Sequence, residues 1–110
     1  YWDSYSEAIV LYALAIGSPT HPIMKDAWFT WKRPVDSYKG YEVVYSYFGS
    51  LFTYQYSHAW IDFRKLYDST INYHTNSINA VGANREYCIA SVKSSLSPVS
   101  FHKTDVKNTE

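Results

Sequence analysis

Ser4-Tyr5-Ser6-Glu7-Ala8-Ile9-Val10-Leu11-Tyr12-Ala13-Leu14-Ala15-Ile16-Gly17 is the stretch on which the fold turns. Ser4 and Glu7 stand in the S-x-x-E spacing of a capping box, in which the hydroxyl accepts from one free amide and the carboxylate reaches back to another. The apolar run Ala8 to Ile16 follows at once, and Gly17 with Pro19 beyond it closes the element. The spacing predicts a helix over about Tyr5 to Ile16. Nine consecutive apolar residues leave it no polar stripe, and a helix apolar all round is expected to be buried on every side. A chain of 110 residues holds little to surround one, so it reads as an inner helix of a larger assembly. The opening on Tyr1, without Met or leader, fits the expectation of a segment of a longer protein.

Working outward, the connector Ser18-Pro19-Thr20-His21-Pro22 is stiffened by its prolines. A short helix is expected over about Met24 to Lys32, with Ala27, Trp28 and Trp31 on one side and Pro34 as its stop. Tyr41, Val43, Tyr45 and Tyr47 alternate with Glu42, Val44 and Ser46 after Lys39-Gly40, which predicts a strand or hairpin arm. From about Ser50 to Tyr67 the residues Phe52, Tyr56, Trp60, Phe63 and Tyr67 recur at helical spacing. They predict an inward face opposite Gln55, His58, Asp62 and Lys65. A last helix is expected over about Asn76 to Ser94, with Ile78, Val81, Cys88, Ile89 and Val92 inward and Gly82 a weak point. His102 to Glu110 reads as a frayed tail.

Composition narrows the function. Twelve Tyr, four Trp and five Phe, with 46% hydrophobic and 18% charged residues, exclude a disordered linker. Ten basic and ten acidic residues cancel, so the field that draws a protein to nucleic acid is missing. The longest apolar run falls short of the ~20 residues that span a bilayer, so membrane insertion is not expected. Cys88 stands alone and is expected to be a small buried apolar residue. No phosphate loop, nucleophile elbow or H-E-x-x-H string is present, and no cofactor or metal is implied.

Several side chains could carry chemistry. Glu7 has an ordinary role as a helix cap. Flanked by Trp2, Tyr5 and an apolar helix, it could equally be a general acid whose pKa is raised by desolvation. Asp3 offers a second carboxylate, and glycoside hydrolysis works with such a pair. His58 and Asp62, four apart, could be two ligands or a His oriented by a carboxylate, or simply a solvated face. His21 sits in a tight loop where local hydrogen bonds could equally fix it. Aromatic rings stack on sugars and also fill cores, so the Tyr and Trp excess fits both a neutral-glycan groove and packing.

Longer strings narrow the choice. Tyr1-Trp2-Asp3-Ser4-Tyr5-Ser6-Glu7-Ala8, Leu11-Tyr12-Ala13-Leu14-Ala15-Ile16-Gly17-Ser18-Pro19-Thr20-His21-Pro22, and then Trp28 and Trp31 resemble the glycoamylase-like family of bacterial glycoside hydrolases. So do Tyr38-Lys39-Gly40-Tyr41-Glu42 and Leu51-Phe52-Thr53-Tyr54-Gln55-Tyr56-Ser57-His58-Ala59-Trp60-Ile61-Asp62-Phe63-Arg64. That family includes endo-β-1,2-glucanases and a related domain of cyclic β-1,2-glucan synthases.

The resemblance implies a mainly α fold, part of an (α/α)6 barrel with a glycan groove across one end. Residues 1–95 would supply about four helices and a short strand or hairpin, with 96–110 a divergent tail. A whole barrel takes on the order of 300 to 400 residues, so the remaining helices would come from the parent chain. It further implies inverting hydrolysis of a β-glucan, with Glu7 as general acid, Asp3 as supporting carboxylate and a water-activating carboxylate elsewhere. Trp2, Tyr5, His21, Gln55 and His58 would line the groove. The family has Asn where Ser6 stands and His where Tyr54 stands, and its Gly- and Trp-rich block after the long helix has no counterpart here. Two alternatives stay open: a non-catalytic carbohydrate-binding remnant and a purely structural one.

Overall fold

The computed structural model describes residues 5, 8–46 and 50–96. Three α-helices and a two-stranded sheet make up the described chain: α1 (Ile9–Ile16), β1 (Val35–Tyr38), β2 (Tyr41–Val44), α2 (Leu51–Gln55) and α3 (Tyr73–Leu96). Short 3-10 turns fill Lys25–Phe29, Tyr56–Ala59 and Phe63–Lys65. The protein is thus mainly helical. Among the described residues, no helix is long and apolar enough to cross a membrane.

α1 ends at Gly17, whose N–H donates to the Ala13 carbonyl at 3.0 Å. The expected capping box, Ser4 with Glu7, lies outside the described residues. Among the described residues α1 buries only Ile9, while Leu11 and Leu14 are 64% and 68% exposed; the expectation of an inner helix puts its remaining cover outside this chain. Val10, Tyr12, Ala13, Ala15 and Ile16 are half-buried.

The hairpin forms after Lys39-Gly40 as expected, with the strand ending at Val44; Tyr47, the last residue of the expected alternation, lies outside the described residues. Lys39 and Gly40 take positive φ values of 51° and 85°, as a two-residue turn of the hairpin type demands, and Tyr38 pairs with Tyr41 across it. β2 then meets α3 through two asparagines one turn apart. The buried Asn76 side chain accepts from the Val44 N–H at 2.7 Å and donates to the Val44 carbonyl at 3.1 Å. Asn79 donates to the Glu42 carbonyl at 2.9 Å. These amides do for the strand's open edge what a third strand would do.

That docking sets the inward face of α3, and it is not the face the apolar spacing predicts. Tyr73, Asn76 and Ala80 are buried, whereas Ile78, Val81, Cys88 and Val92 are exposed and Ile89 is half-buried. Small residues win because the hairpin comes close: a Cβ on Gly82 would lie 2.3 Å from the Tyr41 ring. Cys88 makes a long Sγ contact of 3.9 Å with Asn84.

The Ser50–Tyr67 helix is also corrected. It is one short helix and two 3-10 turns, and of the five aromatics expected inward only Phe63 is buried. Asp62 interrupts the period by capping a new turn, its carboxylate accepting from the Arg64 N–H at 3.1 Å. The buried positions are instead Thr53, Tyr54, Ser57 and Phe63. The expected Met24–Lys32 helix is the shorter 3-10 turn Lys25–Phe29. The predicted tail lies outside the described residues.

The core is aromatic. The Tyr5 ring lies 5.7 Å from Trp31, 5.6 Å from Tyr54 and 6.3 Å from Tyr73, stacked on the last at 15°. Ile9, Val43, Phe63, Ile71 and Ala80 close the cluster. Rings at these spacings add favourable edge and offset contacts to the burial of their area.

Candidate functional site

Two polar centres flank the start of α3. The first is built on Asp68. A tight turn lets its Oδ1 accept from the Thr70 N–H at 2.7 Å, the Thr70 hydroxyl at 2.6 Å and the Ile71 N–H at 2.8 Å. Its Oδ2 accepts from the Trp28 indole at 2.9 Å and from the Tyr73 hydroxyl. Arg33 stands 3.7 Å from the same oxygen, with both side chains nearly buried. Arg33 also lies over the Trp31 ring at 3.6 Å and donates to the carbonyls of Trp28 and Trp31 at 2.8 and 3.0 Å.

Burial alone would raise the Asp68 pKa. The hydrogen bonds from Thr70, Tyr73 and Trp28 outweigh it and hold the carboxyl well below the usual range. Burial, and then its bond to Asp68, push the Tyr73 hydroxyl up. A carboxylate with both oxygens so fully engaged is a brace, with little left over for a substrate.

The second centre is built on His58. Ser50 caps α2, its Oγ accepting from the Phe52 N–H at 3.3 Å, and the 3-10 turn that follows swings His58 over α3. His58 Nε2 lies 2.9 Å from Ser77 Oγ, and the Ser77 hydroxyl donates to the Tyr54 carbonyl at 3.0 Å. A hydroxyl has one proton, and the carbonyl can only accept. With both bonds made, Nε2 carries the hydrogen and donates, which leaves Nδ1 as the ring's acceptor. The ring rests on Phe63 at 4.7 Å. Burial, with the His74 charge adding to it, holds the His58 pKa below its ordinary value of 6.5, so the imidazole is neutral at neutral pH.

His58 and His74 line two shallow depressions on this seam. One, of about 310 Å³, also takes in Gln55, Ser77, Ile78 and Val81. The other, of about 480 Å³, takes in Trp60, Asp62 and Arg64. Gln55 and His58 are thus brought together, as the helical spacing predicts. His21 is exposed in the connector after α1, where it hydrogen-bonds locally to Ser18 and Thr20 at 3.1 Å each. Tyr5 is 1% exposed, so its ring faces are taken up by packing, and it cannot stack a sugar in this arrangement. Trp2, Asp3 and Glu7 lie outside the described residues.

Asp62 does not orient His58. Arg64 holds it in a bidentate pair, at 2.8 Å and 2.6 Å, and that pair keeps the exposed carboxyl well below its usual pKa range. Among the described residues, no group of three or more potential metal ligands converges. His74 and Ser77 are the residues that sequence reasoning missed. A signal was present: His74, Ser77, Ile78 and Val81 fall at i, i+3, i+4 and i+7, one face of a helix.

The family model Glycoamylase, described as "Putative glucoamylase", matches residues 1–95. The chain belongs to this family. No curated protein and no solved structure matches it. Membership relates the chain to glycoside hydrolases, and the matched residues include the Asp68 brace, the His58 seam and nearly all of α3. In this Glycoamylase chain the seam is a place where the half-buried His58, His74 and Ser77 border open space.

Proposed function

We propose that this chain is a segment of a glycoside hydrolase that cleaves a β-glucan, with a β-1,2-linked chain as its substrate. Glu7 is the general acid and Asp3 its supporting carboxylate. The water-activating carboxylate and the remaining helices of an (α/α)6 barrel come from outside these residues. Trp2, His21, Gln55 and His58 hold the sugar. Support comes first from the Glycoamylase match over residues 1–95. The observation that carries the site is the side-by-side placement of Gln55 and a neutral His58 on one depression. A neutral imidazole with an acceptor nitrogen, beside an amide, suits uncharged hydroxyls better than anions.

The expected result is that, in the full-length parent, Glu7→Gln abolishes release of reducing sugar from β-1,2-glucan while the near-ultraviolet spectrum of the aromatic core stays unchanged. A Glu7→Gln protein with ordinary activity would sink the assignment. One observation favours the second reading, a carbohydrate-binding remnant without chemistry. Tyr54, standing where the family has His, is buried, and its hydroxyl accepts from the Ser46 N–H at 3.2 Å. That position therefore serves packing here. Binding of β-glucan without cleavage, in the full-length parent with Glu7 intact, would decide for that reading.

A further inference from the structure

A depression larger than either of those on the His58 seam lies elsewhere on the described surface. It lies on the other flank of the α3 packing face, between that helix and the overhanging strand β1, and encloses about 550 Å³, within the range of small-molecule sites. Register explains how it arises. Asp36 and Tyr38 point to the same side of the hairpin as Tyr41 and Val43, their cross-strand partners. The β2 side chains reach α3, with Val43 buried and Tyr41 half-buried, while Asp36 and Tyr38 stop short and stay exposed.

Across the gap, α3 presents Ala80, Ala83, Asn84 and Tyr87 at i, i+3, i+4 and i+7. Two alanines where a core helix would carry larger residues keep the floor low. Tyr38 and Tyr87 close one end with rings 6.3 Å apart at 64°. Both stay available to a ligand, at 38% and 61% exposure.

The lining chemistry is specific. Among the described residues Asp36 is its one charged side chain, and a carboxylate only accepts hydrogen bonds. One Asp36 oxygen already takes the Ser37 N–H at 2.7 Å; the rest of its capacity calls for donors. Asn84 and the tyrosine hydroxyls both donate and accept. A ligand that satisfies this set has an apolar face for the rings and a rim of hydroxyls that give and take hydrogen bonds. A proline-rich segment would stack equally well but offers almost nothing but carbonyl acceptors, which leaves Asp36 unmatched.

We propose that the groove between β1 and α3 is a binding site for a short stretch of neutral saccharide, separate from the His58 seam. Tyr38 and Tyr87 are its stacking platform, and Asp36 and Asn84 its hydroxyl-reading groups. It needs no residue assigned to catalysis and serves to hold chain, not to cut it.

The test is a titration of the isotope-labelled protein with sophorotriose, cellotriose and maltotriose, and with a hexaproline peptide, followed by amide resonances. At least one trisaccharide is expected to shift the Ser37 N–H and the Asn84 side-chain amide saturably. Tyr87→Ala then weakens binding about tenfold, as loss of one ring contact requires, and Tyr87→Phe weakens it less. Tyr67→Ala, which removes an exposed ring elsewhere, leaves the affinity unchanged. Tyr87 is exposed, and an unchanged spectrum of the core amides shows that the variant is folded. Shifts confined to Gln55 and Ser77, no saturable shift at Ser37 and Asn84, or a response to the peptide alone would each overturn the groove. Groove shifts together with a full-length parent that cleaves no glucan would leave this site standing and remove the catalytic reading instead.

Discussion

The two centres that brace the start of α3 are built from similar parts and finished to different degrees. Around Asp68 both carboxylate oxygens are saturated and a cation stands behind them. Around His58 one ring nitrogen is committed to Ser77, and the seam beside it is open to solvent-sized space. A buried polar group whose bonding is complete fixes a structure and has nothing left to react with. One left with an acceptor beside a depression has capacity for a ligand. The same helix start therefore carries an anchor on one side and a candidate site on the other.

The contrast can be broken most directly at Asp68. Asp68→Ala leaves Arg33 nearly buried without its counter-ion and strips acceptors from Trp28 and Tyr73. We expect a loss of about 3 kcal/mol in a denaturant melt, in the range for breaking one side of a buried ion pair. Because the folded carboxyl is held below its ordinary pKa, its contribution is complete above the unfolded value near 4 and is lost as pH falls beneath it. A melt within experimental error of the parent would mean that Asp68 is not an anchor.

A smaller effect is expected at the seam. Ser77→Ala removes the partner of His58 and should cost about 1 kcal/mol. His58 is depressed by burial and by His74, with Asp62 and Arg64 facing the same depression. The folded chain therefore binds fewer protons than the unfolded chain just below 6.5, and stability falls as pH drops through that window. His58→Gln, which keeps a polar group there and removes the titration, should flatten the slope. If the slope survives His58→Gln unchanged, another group causes it.

The smallest effect sharpens the contrast from outside both centres. Asp62 and Arg64 make a bidentate pair, yet their side chains are 60% and 72% exposed. Water screens such a pair, so Asp62→Ala should leave the melting midpoint where it was. A clear drop would show that the 3-10 turn it caps matters to the seam.

Much of the fold was legible because local chemistry dictated it. The Lys39-Gly40 turn forces the hairpin, and the run closed by Gly17 forces α1. What failed were the inward faces. The aromatic period from Phe52 to Tyr67 is real in the sequence, but Asp62 starts a new turn and dissolves the face before it can pack. In α3 apolarity pointed to Ile78 and Val92. The strand edge instead required an amide at Asn76 and a small residue at Ala80, and no hydropathy pattern encodes a strand's unpaired carbonyl. The site divides in the same way. Gln55 and His58 were visible from spacing, whereas His74 and Ser77 acquire meaning only once α3 lies against α2.

The pairing of Asn76 with both backbone groups of Val44 has a kinetic consequence. Until α3 docks, the outer edge of the hairpin has no partner, and once it docks the Val44 amide is sealed by a side chain 32 positions away. The hairpin and the first half of α3 should therefore open as one cooperative unit. The solvent-exchange lifetime of that single amide then clocks how often α3 lifts off, without any label on the helix itself.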